Sequence, residues 1–153
     1  MANIDTSGRY GAEIVINGLE KTLVGLEQIE PTARRHTEKD LRSIVMSVAA
    51  AAAARVHSRS GDTAAGYRVR SRRGILQIHN RSVGAAILEF AGRLSPQGKT
   101  AQGRSLIETL NAQYGSPGRI LWAEYDAQRA RVLSEVEAAM ARAEAEIQAR
   151  IGE

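Results

Sequence analysis

The segment Gly66–Ser71 and the residues after it constrain the fold more than any other part of the sequence. Arginine occupies every second position here: Arg68, Arg70 and Arg72. Side chains of a β-strand point alternately to opposite faces, so this pattern predicts a strand with a row of guanidinium groups on one face. A second strand candidate, Ile75–His79, follows a short connection that contains Gly74. A connection this short predicts a β-hairpin.

Apolar periodicity predicts a long helix on each side of the hairpin. The first runs from about Thr32 to Val56, and its run of alanines lets another backbone approach closely. The last begins near Ser116, with Gly118 as a residue that would delay its start, and its apolar stripe has spacings of four and three residues. The members of this stripe are Val132, Val136, Met140, Ala143, Ile147 and Ile151.

Shorter elements complete the predicted fold. We expect a strand within residues 9–18, a helix from Leu19 to Ile29, and a helix from about Ser82, its capping residue, to Phe90. Residues 93–117 are predicted to form a long loop, in which Arg104 to Gln113 holds one or two helical turns. Strands and helices alternate without the rhythm of a parallel sheet. The fold class is therefore α+β, with a small antiparallel sheet packed on a long central helix, and a single domain over residues 1–153.

Charge is distributed unevenly along the 153 residues. The net charge of the chain is +4, but residues 32–119 carry +10, and residues 1–31 and 120–153 carry −3 each. A basic middle can bind nucleic acid or pair with the acidic ends of neighbouring subunits. Aromatic residues make up only 4% of the chain, so the core is modest and we expect stabilisation by oligomerisation.

The C-terminal helix is longer than a core of this size can cover. An apolar stripe beyond the reach of its own domain favours association with a partner. We therefore expect four members of the stripe to form a subunit interface: Val132, Val136, Met140 and Ile147. The acidic face of the same helix would pair with the basic middle of a neighbour.

The sequence offers little for catalysis, metal or cofactor binding. The three histidines, His36, His57 and His79, are far apart in sequence, and the chain has no cysteine. Residues 61–66 contain spaced glycines but lack the lysine of a phosphate-binding loop. Glu89 is the one carboxylate in an apolar neighbourhood, where it is either an acid with a raised pKa or, as we favour, the partner of a hairpin arginine. We expect a non-enzyme without metal or cofactor, and no membrane span or signal peptide.

Four segments between about residues 10 and 145 resemble a known family in their order and spacing. They are Ile14–Leu19, Ser60–Val69, Ala85–Gly92 and Gly118–Tyr125. The first two are similar to an opening strand with a glycine-leucine helix start and a Thr/Ser-Gly turn before a hairpin. The third is similar to an alanine-rich turn ending in Glu-Phe-Gly, although Ala91 precedes the glycine here, and the fourth to an apolar pair that opens the last helix. The family comprises the neck or tail-completion (head–tail joining) proteins of long-tailed bacteriophages.

The resemblance implies a structural virion protein, assembled in the host cytoplasm, that forms a ring through which genomic DNA passes. Six-fold symmetry is favoured over twelve-fold. The implied neighbours are a head-completion or connector protein and a tail terminator or tail tube protein. In such a ring, four arginines would face the DNA-filled lumen or an acidic neighbour: Arg68, Arg70, Arg72 and Arg73. Arginines attract phosphate without reading sequence.

Two other functions fit the same sequence. A tail terminator that caps the tail tube, or the equivalent part of a gene transfer agent, would share a related α+β fold. A free nucleic-acid-binding protein would use the same arginines, although the chain has few aromatic residues to stack on bases and no helix-turn-helix spacing.

Overall fold

The computed structural model describes residues 12–16, 19–29, 31–57, 60–72 and 75–151. Its elements in chain order are β1 (Ala12–Ile16), α1 (Leu19–Ile29), α2 (Pro31–Arg55), α3 (Asp62–Ala65), β2 (Arg68–Arg72), β3 (Ile75–Asn80), α4 (Val83–Phe90), α5 (Ala101–Tyr114) and α6 (Leu121–Ile151). The predicted α+β class is confirmed, since helices surround a small antiparallel sheet.

The sheet has three strands in the order β1-β3-β2, and both pairings are antiparallel. The predicted hairpin is confirmed by the pairing of β2 with β3, in which Arg68 lies opposite His79 and Arg70 opposite Gln77. Burial alternates along β3, where Leu76 and Ile78 are buried between less buried neighbours. One face of the sheet therefore points to the core, and the other carries the arginine positions of β2.

The core lies between the sheet, α2 and α6. Helix α2 buries one face of apolar residues, and its alanines allow close packing against α6. Pro31 is the first residue of α2, a position at which its missing N–H costs no helical hydrogen bond. Polar pairs flank the contact between α2 and α6, including Arg142 with Asp40 at 2.7 Å and Arg55 with Glu124 at 2.9 Å.

The predicted subunit interface on α6 is wrong, because the structure uses this stripe inside the chain. Val132 is buried in the core, while Val136 and Ile147 are partly buried and pack against it. Met140 is half-buried on the same side of the helix. The stripe is covered because α2, with 25 residues, is nearly as long as α6, with 31. The length of α2 was predicted correctly, but its packing along α6, from His36 beside Glu146 to Arg55 beside Glu124, was not.

The predicted loop over residues 93–117 is also wrong, because it contains the 14-residue helix α5. Thr100 caps this helix by accepting a hydrogen bond from the Gly103 amide at 3.0 Å. Three residues at helical spacing, Ile107, Leu110 and Tyr114, are buried on its inner face. The Tyr114 hydroxyl also accepts a hydrogen bond from the His57 amide at 3.1 Å, which ties α5 to the end of α2.

Candidate functional site

The exposed face of the sheet carries the basic residues that the sequence singled out. Arg68 and Arg70 are exposed side chains of β2, two residues apart and therefore on the same face. The side chain of Arg72 and the whole of Arg73 lie outside the described residues. The described part of the predicted row thus consists of Arg68 and Arg70, which the structure places side by side.

A third arginine, Arg81, joins this pair and was missed by the sequence reasoning. It follows the last residue of β3, and with Arg68, Arg70 and His79 it lines an open pocket of about 380 Å³. We call these four side chains the basic pocket. A signal was present in the sequence, because Arg81 lies two positions after His79 and residues two apart in an extended segment share a face.

The backbone next to the basic pocket is held by the buried side chain of Asn80. Its amide nitrogen donates to the Thr63 carbonyl at 2.6 Å, and its amide oxygen accepts from the Ser82 amide at 3.0 Å. Gly66 lies so close to this side chain that an added Cβ would overlap it. Ser82 in turn caps α4 by accepting from the Ala85 amide at 3.1 Å, as predicted. These contacts fix the backbone on both sides of Arg81.

The charge of the basic pocket comes from arginine rather than histidine. Partial burial lowers the pKa of His79 below its usual value, and the positive charges of Arg70, Arg81 and Arg68 lower it further. His79 is therefore neutral near pH 7, whereas arginine remains charged. Three guanidinium groups around an open pocket suit phosphate, to which each can donate two hydrogen bonds.

Removing the three arginines of the basic pocket should weaken DNA binding without unfolding the protein. The triple variant Arg68→Ser, Arg70→Ser, Arg81→Ser should reduce the slope of log affinity against log salt by about three, one for each lost phosphate contact. Its free energy of unfolding should change by less than about 0.5 kcal/mol per substitution, because these side chains are at the surface. Fluorescence anisotropy with a labelled duplex at several salt concentrations measures the slope.

The matched control removes the same charge elsewhere. Arg35 and Arg42 are exposed on α2, and Arg129 is exposed on α6. Replacing these three by serine should leave the salt slope close to that of the native chain. Equal losses in the two triple variants would mean that the basic pocket contributes only net charge.

Glu89 has a structural partner other than the one predicted. It is fully buried, and its carboxylate accepts hydrogen bonds from the backbone amides of Ile120, Leu121 and Trp122, each at 3.1 Å. These amides form the N-terminus of α6, where N–H groups have no partner within the helix. The expected pairing of Glu89 with a hairpin arginine is wrong. The residue instead caps a helix that is more than 30 positions away in sequence.

Arg119 belongs to the same buried polar region, in which it donates hydrogen bonds whereas Glu89 accepts them. Its guanidinium donates to the carbonyls of Gly115 at 2.7 Å, Leu88 at 3.2 Å and Ala91 at 2.9 Å, and also to the side-chain oxygen of Asn111. Its acceptors lie at the C-terminal ends of α4 and α5, where carbonyl groups lack partners within the helix. Arg119 therefore joins the ends of two helices directly before α6 begins.

Opposing effects set the protonation of Glu89. Burial raises its pKa above the usual value, while the three amide donors and the charge of Arg119 favour the ionised form and oppose that rise. Within the described residues, the three amides that the carboxylate contacts lie at the start of α6: Leu121 and Trp122 belong to the helix and Ile120 directly precedes it. Glu89 has the geometry of a helix cap. Both of its carboxylate oxygens accept hydrogen bonds from backbone amides, whereas a catalytic acid would present an oxygen to its substrate.

The histidines occupy three separate places. His36 contacts Glu146 at 3.3 Å between α2 and α6, His57 stacks on Tyr114, and His79 lies in the basic pocket. Among the residues that the structure describes, no group of three histidine or carboxylate side chains is placed to hold a metal ion. In the same part of the chain, none of the helices has the length and apolar character needed to cross a membrane.

No family model, curated protein or solved structure matches this chain in the three comparisons that were made.

Proposed function

We propose that this chain is a structural protein of the virion of a long-tailed bacteriophage, located in the neck or at the top of the tail. It assembles there into a ring around the path of the genome, with six-fold symmetry favoured. The basic pocket faces the lumen and contacts DNA through phosphate. Its neighbours along the axis are a connector or head-completion protein on one side and a tail terminator or tail tube protein on the other.

The observation that carries this proposal is the open basic pocket on the exposed face of the sheet. Arg68, Arg70 and Arg81 are exposed together, and Asn80 holds the backbone next to them. Every nucleotide of a duplex carries the same phosphate group, so guanidinium groups that contact phosphate attract DNA of any sequence. A protein that lets a whole genome pass needs this kind of contact.

A second observation supports the resemblance on which the proposal rests. Two of the four family-like segments, Ala85–Gly92 and Gly118–Tyr125, contact each other through Glu89 and Arg119. These short motifs are thus parts of a single buried cluster, which gives a physical reason for both to occur in one chain at this spacing. The polar residues of the two segments serve the fold.

The basic pocket also fits a free nucleic-acid-binding protein, and oligomeric state separates the two functions. Mass photometry and negative-stain imaging of the purified chain should show closed rings with a mass that is a whole multiple of 16.5 kDa. A monomer that binds DNA would refute the ring and favour the second function. A ring that binds tail tubes and does not contact DNA would favour the tail terminator.

A further inference from the structure

An apolar surface remains exposed around α4 and α5. Val83 and Ile87 lie one turn apart on α4, and their side chains are 76% and 42% exposed. Leu94, in the connection after α4, is 98% exposed, and Leu106 on α5 is 45% exposed. Leu94 and Leu106 line a largely apolar cavity of about 590 Å³ together with Phe90. Phe90 follows Val83 and Ile87 at helical spacing on the same side of α4 and lines the cavity, so the exposed side of α4 continues into it. An apolar surface of this kind is unusual where only water is contacted.

Positive charge borders this apolar surface. Arg93, Lys99 and Arg104 are exposed, and Arg93 is held with its guanidinium over the Phe90 ring at 5.8 Å. Glu89 is the only acidic residue between positions 81 and 107, and it is buried as the cap of α6. Its charge is therefore not offered to a partner. We call the exposed residues Val83, Ile87, Leu94 and Leu106, with the cations Arg93, Lys99 and Arg104, the apolar-cationic patch.

The outer face of α6 has the complementary character. Asp126, Leu133, Glu137 and Glu144 are exposed and follow one another at intervals of seven, four and seven residues, which places them on one side of the helix. Leu133 is 47% exposed and lies among these acids. We call these four residues the outer stripe. Arg131 pairs with Glu135 and Arg142 with Asp40, while Arg129 is exposed next to the stripe. Three acids and this one arginine leave the outer stripe with a net charge of −2.

We propose that the apolar-cationic patch of one subunit binds the outer stripe of a second copy of the same chain. Leu133 would enter the apolar cavity, and Glu137 and Glu144 would face Arg93 and Arg104. The two surfaces are complementary in charge, and both are exposed in the folded chain, so neither covers the other. Because the contacting surfaces differ, the interface is heterologous and repeats from subunit to subunit until a ring closes. This inference rests on the proposed ring and identifies the surfaces that build it.

Charge reversal on each surface tests the interface. The patch variant carries Arg93→Glu and Arg104→Glu, and the stripe variant carries Glu137→Arg and Glu144→Arg. Each should raise the apparent dissociation constant of self-assembly by about 100-fold or more, because like charges would face each other. The variant with all four changes should assemble again. A control with Arg35→Glu and Arg42→Glu on α2 has the same net charge as the patch variant and should assemble normally.

Mixing the two variants provides a sharper result. The patch variant retains a native outer stripe, and the stripe variant retains a native apolar-cationic patch. In an equimolar mixture, native patch should bind native stripe at one interface and reversed patch should bind reversed stripe at the next. The mixture should therefore assemble again with the two variants alternating, which sedimentation velocity would detect. Circular dichroism establishes that each variant is folded before it is mixed.

The outcomes separate this interface from the proposed function. If the native chain forms rings and both variants form them equally well, the interface lies elsewhere and the ring stands. If each variant is monomeric but their mixture does not assemble, the pairing of these two surfaces is refuted. A native chain that stays monomeric at high concentration overturns the interface and the ring together.

Discussion

Replacing Glu89 by alanine should lower the free energy of unfolding by about 3–5 kcal/mol, as expected when one member of a buried polar cluster is removed. The change leaves the amides of Ile120, Leu121 and Trp122 buried at the start of α6 without their acceptor. It also removes the negative charge that lies near Arg119. Equilibrium unfolding in urea measures the difference. A domain stable by roughly 5–15 kcal/mol would lose a large part of its stability.

Two further variants separate the cap from general effects of substitution. Glu89→Gln keeps the shape and one acceptor oxygen, so its loss should be smaller than that of Glu89→Ala. Glu108→Ala removes an exposed carboxylate on α5 and should change the free energy of unfolding by less than about 0.5 kcal/mol. If Glu89→Ala also costs less than 1 kcal/mol, the carboxylate is not the cap of α6 in solution.

Replacing Arg119 by methionine should have an effect of similar size, about 3–5 kcal/mol, because four buried or partly buried oxygens lose their donor. Methionine retains much of the apolar volume, so the loss reports mainly on hydrogen bonds and charge. Arg119→Lys should recover only part of the stability, since an ammonium group cannot reach acceptors on three sides as a planar guanidinium does. Thermal and urea unfolding of both variants provide the measurement.

Coupling between the two residues tests whether they form one cluster. In a double-mutant cycle, Glu89→Ala and Arg119→Met together should cost clearly less than the sum of their separate losses. Arg129→Met, at an exposed position of α6, is the matched control and should be nearly neutral. Strict additivity of the two changes would show that Glu89 and Arg119 stabilise the fold independently.

The parts of the fold that the sequence predicted are those specified by local pattern. The alternation of arginine with Tyr67, Val69 and Ser71 predicted β2, and the short connection to the next strand predicted the hairpin. Ser82 was correctly predicted as the cap of α4. The apolar face of α2 also lies where its periodicity placed it. Each signal acts over one or two turns or along one strand, so no knowledge of the rest of the chain was needed.

The errors came from contacts between distant segments. The start of α6 was placed near Ser116, but the helix begins at Leu121, where Glu89 from α4 reaches its amides. The extent of α5 was underestimated because the glycines of the segment favoured a loop. The capping residue Thr100 and the helical spacing of the apolar residues Ile107 and Leu110 were given too little weight. In the candidate site, the exposed arginines were predicted from alternation, but Arg81 joins them only through the pairing of β3 with β2.

The absence of cysteine from the chain allows the most direct test of the proposed DNA contact. A photoactivatable maleimide can be attached to a single cysteine in each of two variants, Arg70→Cys and Arg42→Cys. Position 70 lies in the basic pocket, and position 42 is exposed on α2, which packs against the opposite face of the sheet. Both variants are assembled, mixed with a DNA duplex and irradiated.

The yield of DNA cross-links from each position, compared in rings of equal mass, decides between the outcomes. We predict that the label at position 70 cross-links to the duplex several times more efficiently than the label at position 42, because the basic pocket faces the DNA. Equal yields, or a higher yield from position 42 while the ring still binds DNA, would contradict the proposal that this face of the sheet lines the path of the genome.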